Sequence, residues 1–415
     1  MNEKIKKIVD NIIQIPKDMI NMIEHPIKTL KTGAKNLNNN LNPKIIVTPV
    51  FAKNFENTYN SINARGFYDY CNHEQNGLTL FDIVKNVEKT TRNKDENEPK
   101  IRTIRKNPKV AKKLVLEFFE ECLPNKAEEV KDIFNNEHPL FKDDNNVSYV
   151  IIKKKHFYRK SQHNISSSEK TQCLGLFSTM DGTINDWVAL AHETAHALSS
   201  ATSQYASGKF KHGNSDVYFD RDATAEIESH IIEELFSDYM LRRGKNPKEK
   251  YKFEQKDILA LKAENNASLH FDADVIKDES EIIKCLPTPV TFESLQKLEK
   301  DLKDKKNGRL LYTLQSMKYD SDMRSPHLMR YFVGRIVADE WIWAYRNSTE
   351  EKQKEMCKNF EKYLDKCSTF GLNSACEFLL GQNFEKVAQN FIERINAAKK
   401  ESKNQESEEN ITAKK

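Results

Sequence analysis

The residues most suited to chemistry stand together as His192-Glu193-Thr194-Ala195-His196. Two histidines at i and i+4 lie on one face of a helix, so their imidazole nitrogens can converge on one tetrahedral ion. Glu193 follows the first histidine and projects to the side of that ion, where it can take a proton from a metal-activated water. The spacing therefore predicts a zinc site with Glu193 as general base.

A five-residue pattern of this kind also arises by chance on surface helices, so its neighbours matter. Here the neighbours are apolar and predict a buried helix: Val188, Ala189, Leu190, Ala191, Ala195, Ala197 and Leu198. Buried charged residues need partners, and a metal ion would supply one for both histidines and the glutamate. The flanks favour the metal site over an ordinary helix with two spaced histidines.

The third metal ligand must come from elsewhere in the chain, because no further histidine extends the pattern. A second helix is predicted from about 222 to 243, closed by Gly244. Its residues at successive i+4 steps form one polar stripe: Glu226, His230, Glu234 and Asp238. Two residues of this stripe are candidates for the third ligand. Glu226 and Glu234 lie roughly 12 Å apart along a helix axis, so only one can reach the ion, and with Glu234 the ligand, Asp238 could orient a histidine.

This second helix resembles one in the thimet oligopeptidase, mitochondrial intermediate peptidase and oligopeptidase F family of HExxH zinc metallopeptidases. The similar residues are Ala225-Glu226-Ile227-Glu228-Ser229, followed by Ile231-Ile232-Glu233. In that family the ligand is a glutamate shortly before a Pro-Ser or Ala-Ser step. The resemblance, which covers roughly 147 to 398, therefore favours Glu226 and implies one zinc ion held by His192, His196 and Glu226.

Two other segments are similar to the same family. Leu174-Gly-Leu-Phe-Ser178 resembles its edge strand, which pairs with the backbone of a bound peptide. The series His327, Gly334 and Trp341 resembles its late helix, whose histidine and tyrosines bind the substrate and the oxyanion. The resemblance thus implies that His327 contacts the substrate.

The sequence also departs from the family pattern. Phe332 and Asp339 stand at the two tyrosine positions, so Tyr331, one residue from Phe332, is the predicted substitute hydroxyl. The predicted catalytic residues are therefore Glu193, His327 and Tyr331. Ala195 replaces a usual glycine, Ser199 a frequent histidine, and Glu228 also differs. Much of the family's N-terminal helical half is missing, which would open the site to larger substrates.

Composition and patterning predict a mainly α chain with a small β-sheet before the active-site helix. Together with the motif, the resemblance implies a helical zincin-type metallopeptidase with a cleft between helical subdomains. Four regions are expected. They are an amphipathic helix and linker (1–45), a helical subdomain (46–145), the zinc peptidase domain (146–398) and a disordered tail (399–415). The strand candidates are 147–153 and 173–178.

Net charge, hydropathy and cysteine usage bear on the partners and the compartment of the protein. A formal net charge of +4 on 415 residues gives no reason to expect a nucleic-acid partner. Mean hydropathy is −0.74, and no transmembrane segment or signal peptide is predicted. Seven scattered cysteines without a C-x-x-C pair indicate a reducing, cytoplasmic compartment. Oligomeric state is not predicted.

The predicted function is that of a zinc metalloendopeptidase acting on peptide or protein substrates, with a zinc-activated water and Glu193 as general base. Two alternatives stay open. One is a peptide-binding or scaffold protein that kept the fold but lost turnover, as the missing tyrosines would allow. The other is a specialised protease, delivered into another compartment or cell, that cuts one folded protein.

Overall fold

The computed structural model describes residues 46–59, 71–72, 79–91, 100–141, 150–154, 163–168, 173–202, 224–317 and 324–412. The predicted N-terminal amphipathic helix and linker lie outside these residues. In chain order the helices are α1 (Pro49–Tyr59), α2 (Leu80–Thr91), α3 (Pro108–Cys122), α4 (Pro124–Asn135), α5 (Asn185–Thr202), α6 (Ile227–Arg243), α7 (Gln255–Lys284), α8 (Phe292–Asp304), α9 (Gly308–Ser316), α10 (Arg324–Arg346), α11 (Glu350–Leu364), α12 (Leu372–Leu380) and α13 (Phe384–Thr412).

Three strands precede α5: β1 (Val150–Lys154), β2 (His163–Ser168) and β3 (Cys173–Met180). The prediction of a mainly helical fold with a small sheet before the helix at 192 is confirmed. Several helix ends follow local chemistry. Asn107 caps α3 ahead of Pro108, and Thr291 forms a capping box with Ser294 at the start of α8.

The sheet has the order β1-β3-β2, with β1 parallel and β2 antiparallel to β3. The segment predicted as an edge strand, 174–178, lies in β3 and is therefore the middle strand, so that prediction is wrong. Both β1 and β2 are edge strands beside β3, and the sequence analysis missed β2. Its polar run His-Asn-Ile-Ser-Ser-Ser lacks the apolar alternation by which a strand is predicted.

The connection from β3 into α5 is held by a buried carboxylate. Asp186 accepts backbone N–H groups of Asp181, Gly182 and Thr183 at 3.0, 2.8 and 3.3 Å. Gly182 has φ +103°, a left-handed conformation that glycine adopts without a steric penalty. The turn thus sets where α5, which carries both histidines, begins.

By contact clustering, the described chain divides into two compact units, each assembled from two stretches. Of the described residues, one unit comprises 46–59, 274–317 and 324–325; within it, α8 packs on α1 and α9, and Glu299 accepts hydrogen bonds from the N–H groups of Ile46 and Val47 at 2.9 and 2.8 Å. The other comprises the described residues between 71 and 273 and those from 326 to 412. This grouping differs from contiguous domains at 46–145 and 146–398, since the boundary falls within α7, a long helix that the sequence analysis did not predict. The predicted cleft stays a prediction.

The second unit contains every residue of the predicted metal site. At its centre α5 packs against α6, α3 and β3. Trp187 at the start of α5 stacks on Phe253 with an interplanar angle of 3°, and Phe118 of α3 meets Phe236 of α6 edge to face. This apolar packing fixes α5 and α6 beside each other, which is what brings their polar residues together.

Three predicted boundaries need correction. First, α6 begins at Ile227 rather than 222, so Glu226 is its N-cap residue and not part of a helical stripe. Second, the sequence pattern over 372–398 predicts one helix, but the structure has two, because Gly381 ends α12 with φ +70°. Third, α13 continues to Thr412 where a disordered tail was predicted, since this stretch is rich in Glu and Lys, which favour helix.

Described helices of the chain include none long and apolar enough to span a bilayer. Six cysteines of the described part are free thiols.

Candidate metal centre

The two histidines of α5 face each other across one helical turn. Their Nε2 atoms lie 3.1 Å apart, and their ring centroids are 4.7 Å apart at nearly right angles. His192 is buried and His196 half-buried. The i, i+4 spacing thus brings one nitrogen of each imidazole to a common point.

The carboxylate of Glu226 completes a group of three donor atoms. Its Oε2 lies 3.0 Å from Nε2 of His196 and 3.2 Å from Nε2 of His192. The backbone of Glu226, at φ −114° and ψ 4°, has not yet entered the helix, and the Ser229 hydroxyl donates to the same carboxylate oxygen at 3.0 Å. The non-helical backbone of Glu226 and the hydrogen bond from Ser229 therefore direct this side chain toward α5.

The three atoms fit one zinc ion. Tetrahedral ligands at 2.0–2.1 Å from zinc are about 3.3 Å from one another, close to the observed 3.0–3.2 Å. Two imidazole nitrogens and one carboxylate oxygen are also the donor set of catalytic zinc sites that leave a fourth position open.

Glu234, the alternative ligand, lies elsewhere. Its carboxylate pairs with Arg346 at 3.0 Å, and Asp238 pairs with the same guanidinium at 2.8 Å. Of the two glutamates, Glu226 is the one whose side chain meets the histidines.

His192 is oriented from behind by Glu233. Oε1 of Glu233 lies 2.8 Å from Nδ1 of His192, while Oε2 contacts Nδ1 of His230 and Nη1 of Arg335, both at 3.0 Å. A carboxylate on Nδ1 directs the lone pair of Nε2 toward a metal. His192, His230 and Glu233 also group as possible ligands, but the carboxylate of Glu233 is already paired with the guanidinium of Arg335.

Carboxylates dominate the electrostatics of the centre. Burial alone would lower the pKa of His192, but hydrogen bonds to Glu226 and Glu233 outweigh it and raise the pKa to about 9. The pKa of His196 is likewise raised well above its usual value, against burial, by Glu226 and Glu228. This crowd of negative charge around two histidines is what a divalent cation would balance.

Glu193 is buried beside these ligands, with 7% of its surface exposed. Burial raises the pKa of its carboxyl, and the neighbouring histidines His192 and His196 oppose the rise. A carboxylate with a raised pKa is a better proton acceptor near neutral pH.

The late helix α10 brings Tyr331 to the centre. Burial raises the pKa of the Tyr331 hydroxyl, and the charges of Glu226 and Glu193 and a hydrogen bond with Glu226 raise it further, so the hydroxyl stays protonated. His327 is exposed and contacts the Tyr331 ring edge to face at 5.3 Å. Phe332 is fully buried, and Asp339 pairs with Arg394. Neither side chain can supply the tyrosine hydroxyl that the resemblance implies at these two positions.

Gly334 of α10 allows Glu226 to occupy its place. A Cβ at Gly334 would lie 2.7 Å from the Glu226 carbonyl oxygen and 2.8 Å from the Glu226 Cβ, too close for any side chain. We expect Gly334→Ala to displace Glu226, weaken zinc binding about tenfold or more, and lower the free energy of unfolding by about 1–3 kcal/mol. Zinc titration and chemical denaturation measure the two effects.

Gly308→Ala is the matched control, because a Cβ there meets nothing within 4 Å. It should leave zinc affinity unchanged. Equal zinc affinities for the two alanine variants would contradict the role of Gly334.

Sequence reasoning missed several supporting residues. Glu233 had a signal, since it stands two helical turns after Glu226 and was similar to a family position, but no role was assigned to it. Arg335 had none, because its contact with Glu233 spans 102 residues. Glu228 and Ser199 were noticed only as departures from the family.

Comparison with known proteins gives likeness of structure alone. No protein-family model matches the chain, and no curated protein matches it. A solved structure described as a candidate oligoendopeptidase F aligns with 12% identity and a TM-score of 0.49, covering 85% of this chain and 60% of that one.

Two further structures align in the same way. One is a candidate oligoendopeptidase F from Bacillus anthracis str. Ames (13% identity, TM-score 0.47, 89% of this chain and 58% of that one). The other is PZ peptidase A with an inhibitor (14% identity, TM-score 0.45, 88% and 61%). The chain therefore spans about three fifths of the length of the peptidases it resembles in structure.

Proposed function

We propose that this protein is a zinc-dependent peptide hydrolase. One observation carries the proposal: three donor atoms of His192, His196 and Glu226 lie within 3.0–3.2 Å of one another, with the buried carboxylate of Glu193 next in sequence to the first ligand. A helix-borne chelate beside a carboxylate of raised pKa is the arrangement that metal-assisted hydrolysis needs.

His192, His196 and Glu226 would hold one zinc ion, which when bound acts as a Lewis acid on a carbonyl and makes a nearby water acidic. Glu193 accepts the proton of the attacking water and later donates it to the leaving amine. Glu233 keeps Nε2 of His192 aimed at the ion through its 2.8 Å contact with Nδ1. The chain's residues thus divide into ligands, a proton carrier and orienting groups.

Tyr331 is the proposed donor to the oxyanion. Because its pKa is raised by burial and by two carboxylates, the hydroxyl stays protonated and can donate a hydrogen bond as charge develops on the carbonyl oxygen. His327, exposed and in contact with the Tyr331 ring, is proposed to contact the substrate beside it.

Replacing Tyr331 by phenylalanine should lower kcat about 100- to 1,000-fold, as removal of one oxyanion donor does, with zinc content unchanged. Tyr345→Phe is the control, because that tyrosine lies further along α10, stacked on Trp341. Steady-state kinetics on a cleaved peptide would measure both; a Tyr331→Phe enzyme as active as Tyr345→Phe would remove Tyr331 from the proposal.

The proposed substrates are peptides, and a mixed peptide library tests the function directly. Wild-type protein loaded with one equivalent of zinc should cleave it, lose activity when a chelator strips the metal, and regain it on zinc addition. Absence of cleavage from protein that carries zinc would overturn the enzymatic proposal. It would favour the peptide-binding alternative. The observation behind that alternative is that Phe332 and Asp339 stand where the similar family has its two tyrosines.

A further inference from the structure

The ring of His196 has a second polar neighbour on the side away from the three donor atoms. Nδ1 of His196 lies 3.4 Å from Oε1 of Glu228, and the Ser199 hydroxyl donates to the same oxygen at 3.1 Å. Glu228 is almost completely buried, with 3% of its surface exposed, and Ser199 is buried as well. Ser199 follows His196 by one turn of α5, and Glu228 lies in the first turn of α6.

This carboxylate is poorly satisfied as a purely structural group. Its other oxygen, Oε2, is buried without a hydrogen-bond partner among the described residues. Burying a carboxylate with half of its acceptors unused is unfavourable for folding. The polar contacts of this buried carboxylate are therefore those that Oε1 makes with His196 and Ser199.

An imidazole can present a lone pair at only one nitrogen when neutral, and the proton sits on the other. An acceptor at Nδ1 places the proton there and leaves Nε2 free to bind a metal. Glu233 gives His192 such an acceptor at 2.8 Å. Glu228 stands in the corresponding place behind His196.

We propose that Glu228, held by Ser199, is a positioning residue that fixes the ring of His196 and keeps Nε2 directed at the metal. This inference rests on the proposed zinc function. It gives three carboxylates at or near the start of α6 separate tasks: the N-cap residue Glu226 as ligand, and within the helix Glu233 behind one histidine and Glu228 behind the other. Only the first of these was foreseen from the sequence.

Zinc affinity of the folded full-length protein tests the proposal. Glu228→Gln keeps the side-chain volume and removes the charge; competition with a chromophoric chelator should show zinc bound about 10- to 100-fold more weakly. Ser199→Ala should give a smaller loss in the same direction. The visible absorption bands of the cobalt-substituted protein should shift in Glu228→Gln, which a change in stability alone would not cause.

Glu361→Gln is the matched control. Glu361 is also a buried carboxylate of the same unit, but it accepts from the backbone and side chain of Asn125. Its replacement should leave zinc affinity and the cobalt spectrum as in wild type, whatever happens to the thermal midpoint.

Zinc affinity of Glu228→Gln within twofold of wild type would overturn the inference; should this variant not fold, the same result for Ser199→Ala would do so. The outcome is separate from that of the proposed function. Wild-type protein that binds zinc but cleaves nothing refutes the peptidase while leaving the role of Glu228 testable. If the wild-type protein is active and Glu228→Gln binds zinc as tightly as wild type, only the positioning role is refuted.

Discussion

Replacing Glu193 by glutamine should lower kcat/KM for peptide cleavage about 100- to 10,000-fold, the usual contribution of general acid–base catalysis. Glutamine has nearly the shape of glutamate but cannot accept a proton at neutral pH. The carboxyl is buried beside His192 and His196, and burial raises its pKa toward the range of an effective base. Steady-state kinetics on a peptide from the library, with metal analysis of the same samples, would measure the effect.

Zinc content provides the control for this variant. Glu193 is not among the residues whose donor atoms converge in the predicted ligand set, so the glutamine protein should still bind one equivalent. A variant that keeps both its zinc and its full activity would show that another group carries the proton, and the mechanism proposed for Glu193 would be wrong.

The second large effect concerns the third ligand. Glu226→Gln should weaken zinc binding by more than about 100-fold, beyond the loss typical of residues that only orient a ligand, and activity should fall with it. The physical reason is the position of its Oε2 atom, 3.0 and 3.2 Å from the two histidine Nε2 atoms. Competition titration with a zinc chelator gives the affinity.

Glu234→Gln is its matched partner. It changes the glutamate two turns further along α6, whose carboxylate pairs with Arg346. This variant should bind zinc as wild type does and lose only the modest stability of that ion pair. The reverse pattern, with Glu234→Gln losing zinc and Glu226→Gln keeping it, would refute the ligand set.

Much of the local structure could be predicted from the sequence because it depends on neighbours within a few residues. The helix that carries His192 and His196 follows from its apolar pattern. The sequence also predicts helices over 109–122, 292–305 and 323–346, and these agree with α3, α8 and α10 within one residue at each end. Elements without such a signal failed. The polar strand β2 was missed, and so was the long helix α7, whose charged residues hide its period.

Tertiary packing decided which of several plausible side chains form the centre. The stripe of Glu226, His230, Glu234 and Asp238 assumed one continuous helix, but α6 begins at Ile227, and Glu226 reaches the histidines from outside it. The same packing put β3 in the middle of the sheet, because β1 and β2 both pair with it. Neither outcome is encoded in spacing along one segment.

The pairing of His192 with His196 and the adjacent base candidate Glu193 could be predicted from the sequence, since an i, i+4 relation is a property of one helix. The surroundings of this pair depend on contacts between elements far apart in the chain. The contacts of His196 with Glu226, of His192 with Glu233 and of Glu233 with Arg335 span 30, 41 and 102 residues. Contacts over such distances are set by how α5, α6 and α10 bury their apolar faces, which no local pattern records.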